Sequence, residues 1–280
     1  MSGDPGYFGP SSMMWKVNKE ITVLFGGARA LLMHAAHPLI AAGARQTSFS
    51  QRDPWKRLIR TLSLQNSVTF GTKEEADESA HRINKLHEVI KGTDEITGDI
   101  YDALDHEQLL WVHACLQISS IYFYEKTVKK LTEAEKNQYH RENMLSAELV
   151  LINKKDMPQT HADLKNWVIE KSKSSNYLIY TDVAKDVQEI IAGGPVPTHI
   201  KPIWPFIAFT AFNTLPHEFK EIYGVENSRL KTLILKFNLS LLKYTRPFLP
   251  PFFRLIPPAR WAKQRISKNP NLLFKDKAKY

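Results

Sequence analysis

Residues 53–92 read DPWKRLIRTLSLQNSVTFGTKEEADESAHRINKLHEVIKG, and this stretch decides the fold. Asp53-Pro54 is a helix start, a capping side chain followed by proline in the first turn. Phe70-Gly71-Thr72 ends that helix, and Thr72 with Glu75 forms a capping box for the next. Gly92 is the expected C-terminal glycine of the second helix. On the first helix Arg57, Arg60 and Thr61 stand at i, i+3 and i+4 and share a face. On the second, Ala76, Ala80, Ile83, His87 and Ile90 make a narrow apolar stripe, which puts His87 on the buried side.

A buried imidazole without a partner costs about 1–3 kcal/mol. His87 is therefore either a core histidine bonded to a backbone carbonyl or an axial ligand to a metal or haem, for which neutral imidazole is the usual donor. The Arg57/Arg60/Thr61 face is either a solvated basic surface or a polar pocket that orients an oxygen ligand or a cofactor propionate.

Outward from this hairpin the 280 residues keep a helical period and show no strand-like alternation. A helix is expected over 12–25, interrupted by Gly26-Gly27, and another over 28–37 that kinks at Pro38. Asp105 caps a long, nearly all-apolar helix to about Leu131. Within it His113, Gln117 and Ser120 form a polar line, either an interhelix hydrogen-bond seam or the lining of a haem or substrate pocket. Further helices are expected over 132–152, from 158–160 onward, over 181–192, 216–223 and 227–244. Residues 202–215 are aromatic and apolar, core or cavity wall. The reading is an all-α chain: an irregular N-terminal arm at 1–14, one globular multi-helix domain at 15–260 and a basic C-terminal tail at 261–280.

Several chemistries are set aside. Cys115 is the single cysteine, so there is no disulfide and no thiolate cluster; it reads as a small core residue. Glu78 and His81 form one E-x-x-H pair, where a di-iron bundle needs two pairs and two more glutamates. His34 and His37 are three apart, but a metal site needs more donors. No phosphate-binding glycine loop, nucleophile elbow or dinucleotide fingerprint is present. No signal peptide or bilayer-length apolar run is read, so the expected location is cytoplasmic, at most peripheral at the inner membrane face. Residues 229–280 carry a net +12 and the rest −3. Such a segment suits an anionic membrane surface, and its aromatic, basic and proline-rich part at 247–268 is either an interfacial segment or a tail packed on the domain. Nucleic acid is not an expected partner, because no nucleic-acid fold signature accompanies the charge.

The pattern R-x-x-R-T at 57–61, F-G-T at 70–72 with its acidic pair, and R-I-x-x-x-H-x-x-I-x-G at 82–92 resembles the oxygenase domain shared by latex-clearing rubber oxygenases and the fungal endoplasmic-reticulum-bound oxygenase of mycophenolic acid synthesis. GGARALLMHAAHPLIAAG at 26–43 and YDALDHEQLLWVHACL at 101–116 are similar to short bacterial members. The resemblance implies a helical protein with haem b buried between helices, cleaving isoprenoid double bonds with dioxygen. It places His87 at the proximal iron ligand and Arg57 and Thr61 at the arginine and threonine of the family's R-x-x-K-T segment. Arg60 falls where the rubber enzymes carry lysine, and arginine keeps its proton. Arg57, Arg60 and Thr61 would orient dioxygen or a propionate, with His37 and His113 bordering the cofactor. The expected function is a haem b-dependent oxygenase for an apolar, isoprenoid-like substrate. A non-catalytic haem sensor or carrier, and a peripheral membrane-binding helical protein without cofactor, are the alternatives.

Overall fold

The computed structural model describes residues 3–47 and 54–267 apart from 195 and 199, with backbone alone for 54–61. Among these residues the chain is all-α, with fourteen α-helices and one two-stranded hairpin. α1 (Met13–Asn18) starts at Ser12, whose hydroxyl accepts from the Trp15 amide. The single helix expected over 12–25 is broken after α1. The chain enters an isolated bridge between Glu20 and Leu255 and then a 3-10 turn, Ile21–Leu24. The buried Glu20 carboxylate takes two hydrogen bonds from Arg246, from Nε at 2.8 Å and Nη2 at 2.6 Å. That long-range pair overrides the local helical period.

α2 (Phe25–Ala35) contains Gly26 and Gly27 instead of stopping at them. α3 (Pro38–Gln46) leaves α2 at a bend of 99°. His37 sits at the bend with φ −86° and ψ 119°, the extended geometry that a following proline imposes. α4 (Pro54–Phe70) and α5 (Lys73–His87) pack as the expected hairpin, with both hydrogen bonds of the Thr72–Glu75 capping box formed. α5 closes at His87, so Gly92 is not its terminal glycine. Gly92 lies in β1 (Lys91–Thr93), antiparallel to β2 (Ile100–Asp102). The Tyr101 hydroxyl would stand 2.7 Å from a Cβ at Gly92, so it is cross-strand crowding that requires glycine here.

α6 (His106–Thr127) begins on the Asp105 cap and is the central helix. It ends four residues before Leu131, where the buried Thr127 and Thr22 hydroxyls share a 2.7 Å hydrogen bond. α7 (Glu133–Leu149), α8 (His161–Lys173) and α9 (Asp182–Gly193) each start on a threonine cap, Thr132, Thr160 and Thr181. α10 (Trp204–Asn213), α11 (His217–Ile222), α12 (Arg229–Thr245), α13 (Pro251–Arg254) and α14 (Pro257–Ser267) complete the chain. The main core gathers around Trp111, where α2, α6, α8, α9 and α11 meet. Cys115 lies inside it, fully buried. A third, smaller cluster packs α14 through Ala259 and Ala262 onto Trp15 and Phe70. Among the described residues no single helix is long and apolar enough to cross a membrane; Ile21–Ala35 with α3 passes by length and composition only as a bent pair.

Candidate functional site

The polar line on α6 faces a cavity of about 110 Å³. His113, Gln117 and Ser120 line it on one side, and Tyr139, Asn143 and Ser146 of α7 on another. Gln65, Asn66 and Thr69 from the second half of α4 add a third polar wall. Val23, Leu24, Leu62 and Leu116 supply the apolar surface. The volume has room for several water-sized molecules. Residues 204–213 do not line it; Trp204, Ala208 and Ala211 are core.

Gln117 of the same line also forms an interhelix seam. His140 Nε2 lies 2.7 Å from the Pro158 carbonyl, which only accepts, so this nitrogen carries the proton. Burial pulls the His140 pKa down, the ring is neutral, and Nδ1 is left as an acceptor. Gln117 Nε2 then donates to His140 Nδ1 at 2.9 Å, and Gln117 Oε1 accepts from Asn143 Nδ2 at 2.9 Å. His161 Nδ1 stands 3.4 Å from the same Gln117 amide nitrogen.

His113 is set apart from that chain. Its Nε2 is buried without a hydrogen-bond partner among the described residues. Burial, with the neighbouring His140, lowers its pKa to about 4, opposed by a hydrogen bond to the Asn143 backbone. The cavity wall therefore carries a neutral imidazole with an unengaged nitrogen.

His87 ends α5, half-buried, and its Nδ1 is likewise buried without a partner among the described residues. Burial alone lowers its pKa. It does not line the 110 Å³ cavity. The stripe expected around it is buried at Ala76 and Ala80 and opens toward solvent at Ile83 and His87, while Ile90 packs beyond the helix on Ala42 and Tyr101. Arg57, Arg60 and Thr61 lie on the first half of α4; their side chains are outside the described residues. The α4–α5 hairpin brings that half of α4 to the end of α5 that carries His87.

His37 is buried away from the cavity. Its ring meets Tyr177 edge-on at 4.6 Å and Trp111 at 5.7 Å, Nδ1 has no partner, and burial lowers its pKa to about 4. His34 is bonded to the Val112 carbonyl at 3.0 Å, so the His34/His37 pair does not converge on one ion. Glu78 pairs with Arg82 on the exposed face of α5, where His81 is also exposed. Among the described residues no three His, Cys, Asp or Glu side chains gather as a metal site. Porphyrin-bound iron needs only one axial imidazole from the chain, and the unpartnered ring nitrogens of His87 and His113 fit that donor chemistry.

Two contributions escaped the sequence reading. Asn143 and Tyr139 on α7 reach the cavity, and no local signal marks them, because only the packing of α7 on α6 brings them there. Arg29 is 5 % exposed. Its Nε donates to the Thr214 carbonyl at 3.0 Å and its Nη1 to Ser119 Oγ at 2.6 Å, with Tyr122 under its plane. Burial lowers its pKa to about 10, and no carboxylate pairs with it among the described residues.

Comparison with known proteins places this arrangement. No curated protein and no solved structure matches the chain. The family model described as ER-bound oxygenase mpaB/B′/rubber oxygenase, catalytic domain, matches residues 15–243, a span that holds α2 through α11, the hairpin of α4 and α5, and every residue of the cavity wall except Met14. The chain belongs to the mpaB/rubber oxygenase catalytic-domain family.

Proposed function

We propose that the protein is a haem b-dependent oxygenase that uses dioxygen to cleave a carbon–carbon double bond in an apolar, isoprenoid-type substrate. The observation that carries this reading is His87, whose buried Nδ1 has no partner among the described residues and which lies within the family-matched span. Bound haem would supply the oxygen chemistry; the chain supplies the ligand, the chamber and access.

His87, held neutral by burial, would be the proximal iron ligand. Arg57 and Arg60 bring fixed positive charge, and Thr61 a hydroxyl, to orient an oxygen ligand or a propionate. On the cavity wall, Val23, Leu24, Leu62 and Leu116 exclude water and hold an apolar chain. Gln117 and Asn143 are locked by the seam. His113, a neutral imidazole, would accept a hydrogen bond from a donor that reaches its buried Nε2.

The test is the absorption spectrum of the purified protein, wild type beside His87→Ala, after growth with ample haem. A Soret band at stoichiometric haem that the mutant loses supports the site. A wild type that takes up no haem even on reconstitution overturns it. Dioxygen-dependent turnover of an apolar alkene then separates an oxygenase from a haem carrier with the same ligand.

A further inference from the structure

The C-terminal part of the fold presents a surface that the cavity chemistry does not use. α12 packs on the domain through Leu239, with Leu235 and Leu242 half-buried beside it. Leu230, Leu233, Ile234, Phe237, Leu241 and Tyr244 point away from the domain. At the angular step of an α-helix these six cover an arc of roughly 100°. The surface continues past α12 into Phe248, Leu249, Phe252 and Phe253, all exposed. Phe237, Tyr244 and Phe248 are 66 %, 70 % and 87 % exposed, so these are whole side chains in solvent, not edges. Monomeric proteins rarely leave a contiguous apolar surface of this kind uncovered unless something binds it.

The charge around it selects the occupant. Arg229, Lys236 and Lys243 fall along one edge of the arc and Lys231 along the other, with Arg254 at the α13 end. Residues 229–275 contain no Asp or Glu. Arg246 is engaged by Glu20, and none of the four basic residues on α12 has an ion-pair partner among the described residues. A second copy docking by a two-fold axis would set this same patch against itself and oppose like charges along both rims. An anionic leaflet supplies apolar depth and negative charge together.

We infer that α12 and α13 form a docking face for an anionic lipid bilayer, with the apolar arc at the acyl boundary and the basic rim among the headgroups. The face is fixed to the cavity wall. Arg246 holds Glu20, Leu255 bridges Glu20, and the Ile256 amide donates to the Lys19 carbonyl at 2.9 Å. The turn that follows directly, Ile21–Leu24, contributes Val23 and Leu24 to the cavity. In a consequence that rests on the oxygenase reading, the substrate is a lipid-dissolved molecule taken from the bilayer beside that turn.

The test is flotation of the full-length protein with vesicles of phosphatidylcholine alone or with one third phosphatidylglycerol, at low and high salt. The protein should float with the anionic vesicles, far less with the neutral ones, and less as salt rises. Lys236→Glu with Lys243→Glu should cut partitioning by at least roughly fivefold per basic residue removed. Phe237→Gln with Phe248→Gln should release the protein; all four positions are at the surface, and circular dichroism checks that the variants fold. Wild type that stays in solution with every vesicle, or floats equally with neutral ones, overturns the inference. So does a dimer that the Phe→Gln pair converts to monomer while the wild type ignores lipid. Haem content read on the same samples keeps the outcomes apart: lipid binding without haem sinks only the oxygenase reading, and haem without lipid binding sinks only the docking face.

Discussion

Gly26 on α2 lies against the main chain of Ser119 on α6, so close that a Cβ there would stand 3.2 Å from the Ser119 carbonyl carbon and oxygen. The neighbour is backbone and gives way poorly. Gly26→Ala gains up to about 1 kcal/mol of helix propensity and loses about 1–3 kcal/mol by overpacking. The expected net is destabilisation of about 1 kcal/mol in urea unfolding. Gly27, one residue on, has nothing within 4 Å of its own ideal Cβ. Gly27→Ala should therefore raise stability by about 0.5–1 kcal/mol. Equal effects of the two substitutions would show that α2 does not pack on α6 in this way.

That pair of glycines also marks the limit of what the sequence reveals. Gly26-Gly27 reads locally as a helix break, and only the distant Ser119 makes it a close approach. Glu20 ends α1 early for the same kind of reason, because its partner Arg246 lies 226 residues away. Gly92 reads as a helix terminus until Tyr101 is folded onto it. Elements fixed by near neighbours were legible: the capping boxes at Thr72 and Thr132, the Asp105 cap and the central helix α6 all form where expected. The cavity was half legible. Its α6 wall follows from spacing on one helix, whereas Asn143 and Tyr139 reach it only through the crossing of α7 over α6.

Gln117 ties α6 to α7 at two points through one amide, donating to His140 and accepting from Asn143. Gln117→Leu keeps the volume and removes both bonds, leaving the His140 ring nitrogen and the Asn143 amide buried and unpaired. Each orphaned group costs about 1–3 kcal/mol, so a loss of roughly 2–4 kcal/mol is expected in chemical unfolding. A loss below the lower bound for one such group would mean that the seam is not formed in solution.

The buried histidines make the fold acid-sensitive. His34, His37, His113 and His161 each have a folded pKa lowered by burial to about 4, against 6.5 in the unfolded chain. A depressed folded value means that the unfolded state binds the proton first as pH falls. Their stabilisation is complete above pH 6.5 and is lost progressively as pH falls from 6.5 through about 4, at about 1.4 kcal/mol per pH unit for each histidine. The urea midpoint of the cofactor-free protein should be flat from pH 7 to 8 and fall steeply below 6.5. His113→Leu should make that fall shallower by close to one proton. A midpoint unchanged down to pH 4.5 would show that these rings are not buried neutral.

Among the described residues three histidines keep an unpartnered ring nitrogen; His37 is packed against Tyr177 and Trp111, and a paired substitution separates the other two, His87 and His113. His87 lies in the R-I-x-x-x-H segment, at the end of α5 beside the first half of α4, and its only pKa perturbation is burial. His113 lies on the cavity wall, and among the described residues its buried Nε2 has no hydrogen-bond partner. If His87 is the axial ligand, His87→Ala loses stoichiometric haem, and added imidazole restores the Soret band by filling the space left by the ring. His113→Leu then retains full haem, because its nitrogen serves the chamber and not the iron. It should instead change how an iron-bound ligand such as cyanide or carbon monoxide reports its surroundings, through its infrared stretch or its affinity. Retention by His87→Ala with loss in His113→Leu would move the iron to the α6 wall, and the role of the α4–α5 hairpin would then be to shape the chamber rather than to hold the metal.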